Sequence, residues 1–176
     1  MSQSVEPFDP ARHQRVRFSS GASAIDNYLK LTARKHQAAN IAAVFVIADE
    51  TDEIIGYYAL KAMQIDALEL GGAVDAKLVA RHSEVPATLL SMLGVDQSFQ
   101  GQGIGRMLLA DALRRSLSAS KLVASQCVIL DVLDDADAAQ FARRTAFYAA
   151  LGFTSCAISG KARMYLTMKD AAASLG

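Results

Sequence analysis

The chain has 176 residues, 52% of them apolar, with 18 basic and 18 acidic side chains and no net charge. That length and composition suit one folded domain with a sizeable core and exclude a disordered chain. The zero balance excludes nucleic-acid binding by bulk charge alone, and no apolar run reaches the roughly 18 residues of a membrane-spanning helix.

The first residues, MSQSVEPFDPARHQ, lack the apolar stretch of a secretion signal. Pro7 and Pro10 act as breakers, and Val16 and Phe18 suggest a short strand. Ser20 or Ser23 can cap a helix whose inner face is Ile25, Tyr28, Leu29 and Thr32. Arg34, Lys35 and His36 crowd its last turn, where cations suit the helix dipole. Residues 41–48 and 54–63 read as adjacent antiparallel strands around the polar turn Asp49–Glu53, and 64–70 extends the second strand or forms another. Residues 71–84 have little pattern beyond a short helix expected at 75–80. A strand at 88–95, a glycine-rich loop and an amphipathic helix at 104–119 follow. The buried strand expected at 125–133 pairs in parallel with 88–95, because a helical crossover joins them. Acids at 134, 135 and 137 supply caps for a last helix that runs to about Leu151 and stops at Gly152. Residues 153–158 and 163–168 are the final strands. Cys127 and Cys156 form no CxxC pair and read as buried thiols of a reducing compartment, so the expected location is cytoplasmic. His13, His36 and His82 have no metal spacing, and no metal is expected.

The chemistry concentrates at Gln100-Gly101-Gln102-Gly103-Ile104-Gly105-Arg106. Glycines let a backbone approach a ligand closely, and the start of the following helix offers N–H groups and a positive dipole end to phosphate. The GxxxxGK[ST] pattern is absent, and GxGxxG fails from either Gly101 or Gly103. What remains, Gln-x-x-Gly-x-Gly between strand and helix, resembles the acetyl-CoA pyrophosphate loop of the GNAT N-acetyltransferases. A second motif sits at the spacing this family has: Phe147-Tyr148-Ala149-Ala150-Leu151-Gly152-Phe153 resembles its [FL]-Y-x-x-x-G-F segment. The segments FSSGASAIDNYL (18–29), 55–60, 86–96 and Arg163-Met164 narrow the likeness to the GNAT toxins of bacterial toxin–antitoxin pairs. Their pattern reads F-x-x-G-x-x-x-L-D-x-[YF]-L and later P-x-x-L-L-x-x-L-A-V-D-x-x-x-Q-G-x-G-[LI]-G. Ile25 replaces that leucine and Gly94 that alanine. The asparagine that many GNAT proteins carry early in the last helix is absent.

The resemblance implies one α/β domain over residues 1–176. Its fold is a central mixed, mostly antiparallel twisted sheet, with a parallel strand pair splayed at the acetyl-CoA site and helices flanking it. It implies acetyl transfer from acetyl-CoA to an amine, with backbone of Leu93 and Val95 along the pantetheine arm and the Val95 N–H on the developing oxyanion. Gln100, Gly101, Gln102, Gly103, Ile104, Gly105 and Arg106 would surround the pyrophosphate. Tyr148 would act as the acid that protonates the leaving thiolate. No general base stands out; Glu84 and His82 are the candidates near the central strand. The branch's substrate is the α-amino group of aminoacyl-tRNA; an ordinary α-amine titrates near about 8 rather than the about 10.4 of a lysine, and esterification of its carboxyl lowers it further, so it needs less help from a base. Arg34, Lys35, Arg114, Arg115, Arg143 and Arg144 are then candidate acceptor-stem contacts. The branch further implies a ribbon-helix-helix antitoxin as partner and a homodimer. An acetyltransferase for a small amine, peptide or protein lysine is the rival enzyme reading, and a non-catalytic acyl-CoA-binding module is the rival outside enzymes.

Overall fold

The polar turn at Asp49–Glu53 closes as its composition demands. Asp49 Oδ1 accepts the N–H groups of Thr51 (2.8 Å) and Glu53 (3.1 Å) and the Thr51 hydroxyl (2.8 Å), while Asp52 takes a φ of 63°. The two strands it joins, β2 (Ala43–Ala48) and β3 (Ile54–Asp66), are antiparallel, with Val44 opposite Ala59 and Val46 opposite Tyr57. The computed structural model describes residues 4–75, 77, 81, 83–156 and 159–176. Five further strands complete the sheet: β1 (Glu6–Pro7), β4 (Glu84–Val95), β5 (Cys127–Asp131), β6 (Thr154–Ser155) and β7 (Arg163–Thr167). Their order is β1-β2-β3-β4-β5-β7-β6. Thr88 and Leu89 of β4 pair in parallel with Val128 and Ile129 of β5, whereas β1–β2, β2–β3, β5–β7 and β6–β7 are antiparallel. This is the mixed, mostly antiparallel sheet that the sequence predicts.

The helices are α1 (Ser23–Asn27), α2 (Ala33–Ala38), α3 (Ile104–Ser120), α4 (Ala138–Ala150) and α5 (Met168–Leu175). One wide π-turn, Tyr28–Thr32, links α1 to α2. Ile25, Leu29, Ala33 and Gln37 recur every four residues, and all are buried or half-buried. A regular helix of 3.6 residues per turn drifts off that spacing; a π-turn restores it. Leu29 and Ala33 thereby reach 0% exposure.

The structure corrects several boundaries. No strand forms at Val16–Phe18; Glu6–Pro7 takes that part, pairing with Val46 and Phe45 at the sheet edge, where a proline is tolerated. Phe18 is a core residue at 1% exposure, and Val16 stands out at 80%. Neither Ser20 nor Ser23 caps α1, whose N-cap is Ala22. Ser20 instead donates its hydroxyl (2.6 Å) and its N–H (2.8 Å) to Asp26 Oδ1 and fastens the helix from outside. β3 ends at Asp66, whose carboxylate accepts the Leu68 N–H (2.9 Å) and starts a 3-10 turn at Ala67–Ala73 in place of more strand. The helix expected at 75–80 and His82 lie largely outside the described residues. Asp137 caps α4 through the Gln140 N–H (3.0 Å), and Gly152 ends it at a φ of 95°. The last eight-residue helix, α5, had no reading from the sequence.

The chain forms two compact units, Met1–Lys61 with Leu90–Ala112, and Ala62–Leu89 with Leu113–Gly176. The first is built around Phe8, Phe18, Tyr28, Leu29, Val46 and Tyr57, with Ile25 and Met92 packed on that cluster. The second is built around Ile65, Leu70, Val74, Ala87, Cys127 and Ile129, with Tyr165 packed against them and donating to the Leu70 carbonyl (3.1 Å). In the second unit the Arg163 guanidinium binds Asp131 (2.7 Å) and Glu69 (3.3 Å).

Candidate active site

In the first unit β4 leads directly into the glycine-rich loop. Asp96 follows the strand and turns the chain: its Oδ1 accepts the Ser98 N–H (2.9 Å) and its Oδ2 the Ser19 N–H (2.9 Å). The Gln97 N–H then donates to the Ser19 carbonyl (2.8 Å). Gln100 is exposed, and its amide donates to the carbonyls of Val95 (2.9 Å) and Ser20 (3.0 Å). The segment before α1 is thus tied to both ends of the loop. Gln102 donates back to the Ser98 carbonyl (3.3 Å).

Gly101 and Gly103 hold φ values of 77° and 85°, a left-handed conformation that side chains resist. A Cβ at either would meet nothing within 4 Å, so conformation and not crowding requires glycine there. The Met107 N–H donates to the Gly103 carbonyl (3.1 Å), so α3 begins at the loop's end. First-turn N–H groups, here those of Ile104, Gly105 and Arg106, have no acceptor within their own helix. With the exposed Arg106 beside them, this arrangement fits the pyrophosphate of a nucleotide-bearing thioester. Leu93 and Val95 are half-buried on the strand that leads in.

Tyr148 lies in the second unit, on the last turn of α4. It is half-buried, edge-on to Phe147 (centroids 5.1 Å apart) and to Phe153 (5.9 Å). Burial pushes its hydroxyl up to about 12, against a smaller opposing pull from the nearby Arg144 cation. Tyr148 therefore stays a proton donor throughout the physiological range.

A family profile described as an acetyltransferase (GNAT) domain matches residues 40–155. The chain belongs to the GNAT acetyltransferase family. A probable TacT toxin of Sinorhizobium fredii is 35% identical over 150 residues, covering 85% of this chain and 82% of that protein. A tRNA-acetylating toxin of Mycobacterium tuberculosis is 30% identical over 159 residues, 90% of this chain and 89% of that one. The toxin AtaT, solved with acetyl-methionyl-tRNAfMet, has the same fold, with a TM-score of 0.81, 21% identity and 96% of each chain covered. An AtaT variant bound to acetyl-CoA and the C-terminus of the antitoxin AtaR has a TM-score of 0.76 and 22% identity, over 96% of this chain and 94% of that one.

Within this GNAT enzyme the candidate RNA-facing cations differ in availability. Arg34 and Lys35 are exposed on α2, Arg114 on α3 and Arg143 on α4, whereas Arg115 is half-buried. Arg144 is taken up by Asp135, with two bonds of 3.0 Å, and by the Leu133 carbonyl at 3.0 Å. That pair holds the Asp135 carboxyl below the usual carboxylate range and secures the stretch before α4. Glu84, the candidate base, is exposed at the start of β4. Cys127 is buried as expected but Cys156 is only half-buried, and burial pushes their thiols up, to about 12 and about 11, so both are poor nucleophiles at neutral pH. Among the described residues no cluster of three or more His, Cys, Asp or Glu could hold a metal ion, and no helix is long and apolar enough to cross a membrane.

The brace from Asp96 and Gln100 to Ser19 and Ser20 was missed by sequence reasoning. An aspartate just past a strand and two residues before a serine N–H was the available signal for half of it. The other half joins residues 77 to 80 positions apart in sequence, which no local pattern shows.

Proposed function

We propose that this protein moves the acetyl group of acetyl-CoA onto the α-amino group of aminoacyl-tRNA, as the toxin of a toxin–antitoxin pair and within one catalytic domain spanning residues 1–176. The observation that carries the reading is the likeness, over 85% and 90% of the chain, to a TacT toxin and to a tRNA-acetylating toxin. The loop geometry supports the donor half of it: an open helix start behind two left-handed glycines suits the pyrophosphate of CoA.

In this reading the first-turn N–H groups of α3 and the loop backbone hold the pyrophosphate, and Leu93 and Val95 pair with the pantetheine arm. The free amine attacks the thioester carbonyl, forming the C–N bond, and the Val95 N–H stabilises the oxyanion. The intermediate collapses with cleavage of the C–S bond, and Tyr148 gives its proton to the departing sulfur. The amine's surplus proton passes to solvent, which restores the tyrosine through water. An α-amine on an esterified amino acid is largely unprotonated near neutrality, so the chemistry needs no dedicated base. Arg34, Lys35, Arg114, Arg115 and Arg143 contact phosphates of the acceptor stem, which supplies affinity without reading sequence. Arg106 adds charge at the pyrophosphate. The silencing partner is a ribbon-helix-helix antitoxin, the working form is a homodimer, and the site of action is the cytoplasm.

The test uses purified protein, labelled acetyl-CoA and pooled charged tRNA, with uncharged tRNA as control. Label on charged tRNA alone, released by mild base as an acetyl-amino acid, is the expected result. Acetyl-CoA binding without transfer to tRNA would point instead to a small-amine or lysine acetyltransferase.

A further inference from the structure

The two departures from the toxin-branch pattern, Ile25 for leucine and Gly94 for alanine, meet in space. Gly94 is buried on β4 between Leu93 and Val95 and is not among the glycines with positive φ, so its backbone would accept any residue. Space is the constraint. A Cβ at position 94 would lie 2.5 Å from Ile25 Cγ2, 3.3 Å from Tyr57 Cε1 and 3.4 Å from Phe18 Cζ. The Cγ2 methyl is the β-branch of isoleucine, the atom that leucine lacks at that place. An alanine methyl at 94 and this branch would claim the same volume.

Ile25 cannot retreat easily. The Tyr57 hydroxyl donates to the Ile25 carbonyl (2.7 Å), and Phe18 packs edge-on to Tyr57 with centroids 5.5 Å apart. The neighbouring strand repeats the device toward α3. A Cβ at Gly56 would meet Leu108 Cδ1 at 2.9 Å, Ile104 Cγ2 at 3.1 Å and the Gly94 carbonyl oxygen at 3.4 Å. β4 therefore meets α1 at Gly94, and β3 meets the first turns of α3 at Gly56.

We infer that Ile25 and Gly94 form a coupled positioning pair, in which the isoleucine branch seated in the glycine notch fixes the backbone of Leu93–Val95. The pair acts through that backbone and touches no substrate. The inference rests on the proposed function, in which Leu93 and Val95 line the pantetheine arm. It also explains why the two departures occur together: leucine and isoleucine carry the same carbons, but the isoleucine branch at Cβ occupies the place that an alanine methyl at 94 would need. Overfilling a packed core displaces backbone, and here the backbone displaced is that of the donor strand.

The experiment compares wild type, Ile25→Leu, Gly94→Ala and the double variant by acetyl-CoA KM, aminoacyl-tRNA KM and melting temperature. Gly94→Ala is expected to raise the acetyl-CoA KM about tenfold, leave the tRNA KM unchanged and lower the melting temperature. Ile25→Leu alone is expected to change KM by less than about threefold. The double variant is expected to return to within about twofold of wild type. An unchanged acetyl-CoA KM for Gly94→Ala, even with a lower melting temperature, would reduce the pair to plain packing and overturn the inference. So would a double variant no better than Gly94→Ala. If Gly94→Ala does not fold, the double variant decides: a folded, active protein supports the pair and a misfolded one overturns it. A wild-type protein that fails to bind acetyl-CoA would overturn the proposed function and the positioning role together.

Discussion

Tyr148 illustrates how far one residue's environment constrains its chemistry. Its ring sits between Phe147 and Phe153, and burial lifts its hydroxyl from an ordinary 10.0 to about 12. A raised pKa keeps the neutral, proton-bearing form present at every pH up to the shifted value. In the proposed reaction, activity is therefore not lost through Tyr148 ionisation below about pH 11. Replacing it with phenylalanine removes the proton and little else, so Tyr148→Phe is expected to lower kcat by about 100-fold or more and leave the melting temperature within about 2 °C. Steady-state kinetics beside a thermal melt would check this; a kcat within a few-fold of wild type would remove the acid assignment. The sequence placed Tyr148 on the last helix through its motif. Phe147 beside it was legible in the same motif, but the edge-on contact with Phe153 was not, because that depends on how the chain runs on beyond Gly152.

Among elements, the loop between β4 and α3 was the most legible and the least complete. Its glycines, its strand and its helix all lie in one run of sequence, so local pattern sufficed. The partner that braces it does not: Ser19 and Ser20 come from the segment before α1, and Asp96 and Gln100 reach them across the fold. Asp96 deserves a direct test because its carboxylate serves two backbone donors from two segments. Asp96→Ala strands both, at about 1 kcal/mol each, which corresponds to a melting temperature lower by about 5 °C. In the proposed function the same change loosens the loop and raises the acetyl-CoA KM several-fold, while Asp96→Asn, which keeps two acceptors' worth of shape but only one carbonyl, falls between. Boundaries failed where tertiary contact overrode local signal. Pro7 joined a strand because the sheet edge tolerates it, and Val16 did not because Phe18 alone was needed inside.

For the whole molecule, zero net charge conceals an uneven distribution. Residues 10–40 hold six Lys and Arg against one acid, Asp26, and the acids gather elsewhere. Arg34 and Lys35 are exposed, so they can serve a phosphate backbone without breaking an internal pair that the structure records. The expected outcome for Arg34→Glu/Lys35→Glu is at least tenfold weaker acetylation of aminoacyl-tRNA, with acetyl-CoA affinity unchanged and a shallower salt dependence. An unchanged tRNA rate across salt concentrations would remove these residues from the interface. Charge clustering was visible in the sequence. Which cations were already spent was not: Arg144 looked like its neighbour Arg143 until the structure showed it clamped to Asp135.

The wide turn at Tyr28–Thr32 gives the N-terminal helix a phase that its length alone would not. Each residue of an ordinary helix advances the side chains by about 100° around the axis. Were the five residues of this turn to tighten into an ordinary helix, everything beyond it would swing by about that angle. Ala33 would leave its fully buried seat, Gln37 would lose the Phe8 carbonyl it now reaches at 2.6 Å, and Arg34 and Lys35 would face a new direction. The chain thus sets the aim of these two exposed cations by one wide turn, and closing that turn would redirect the aim without altering either cation.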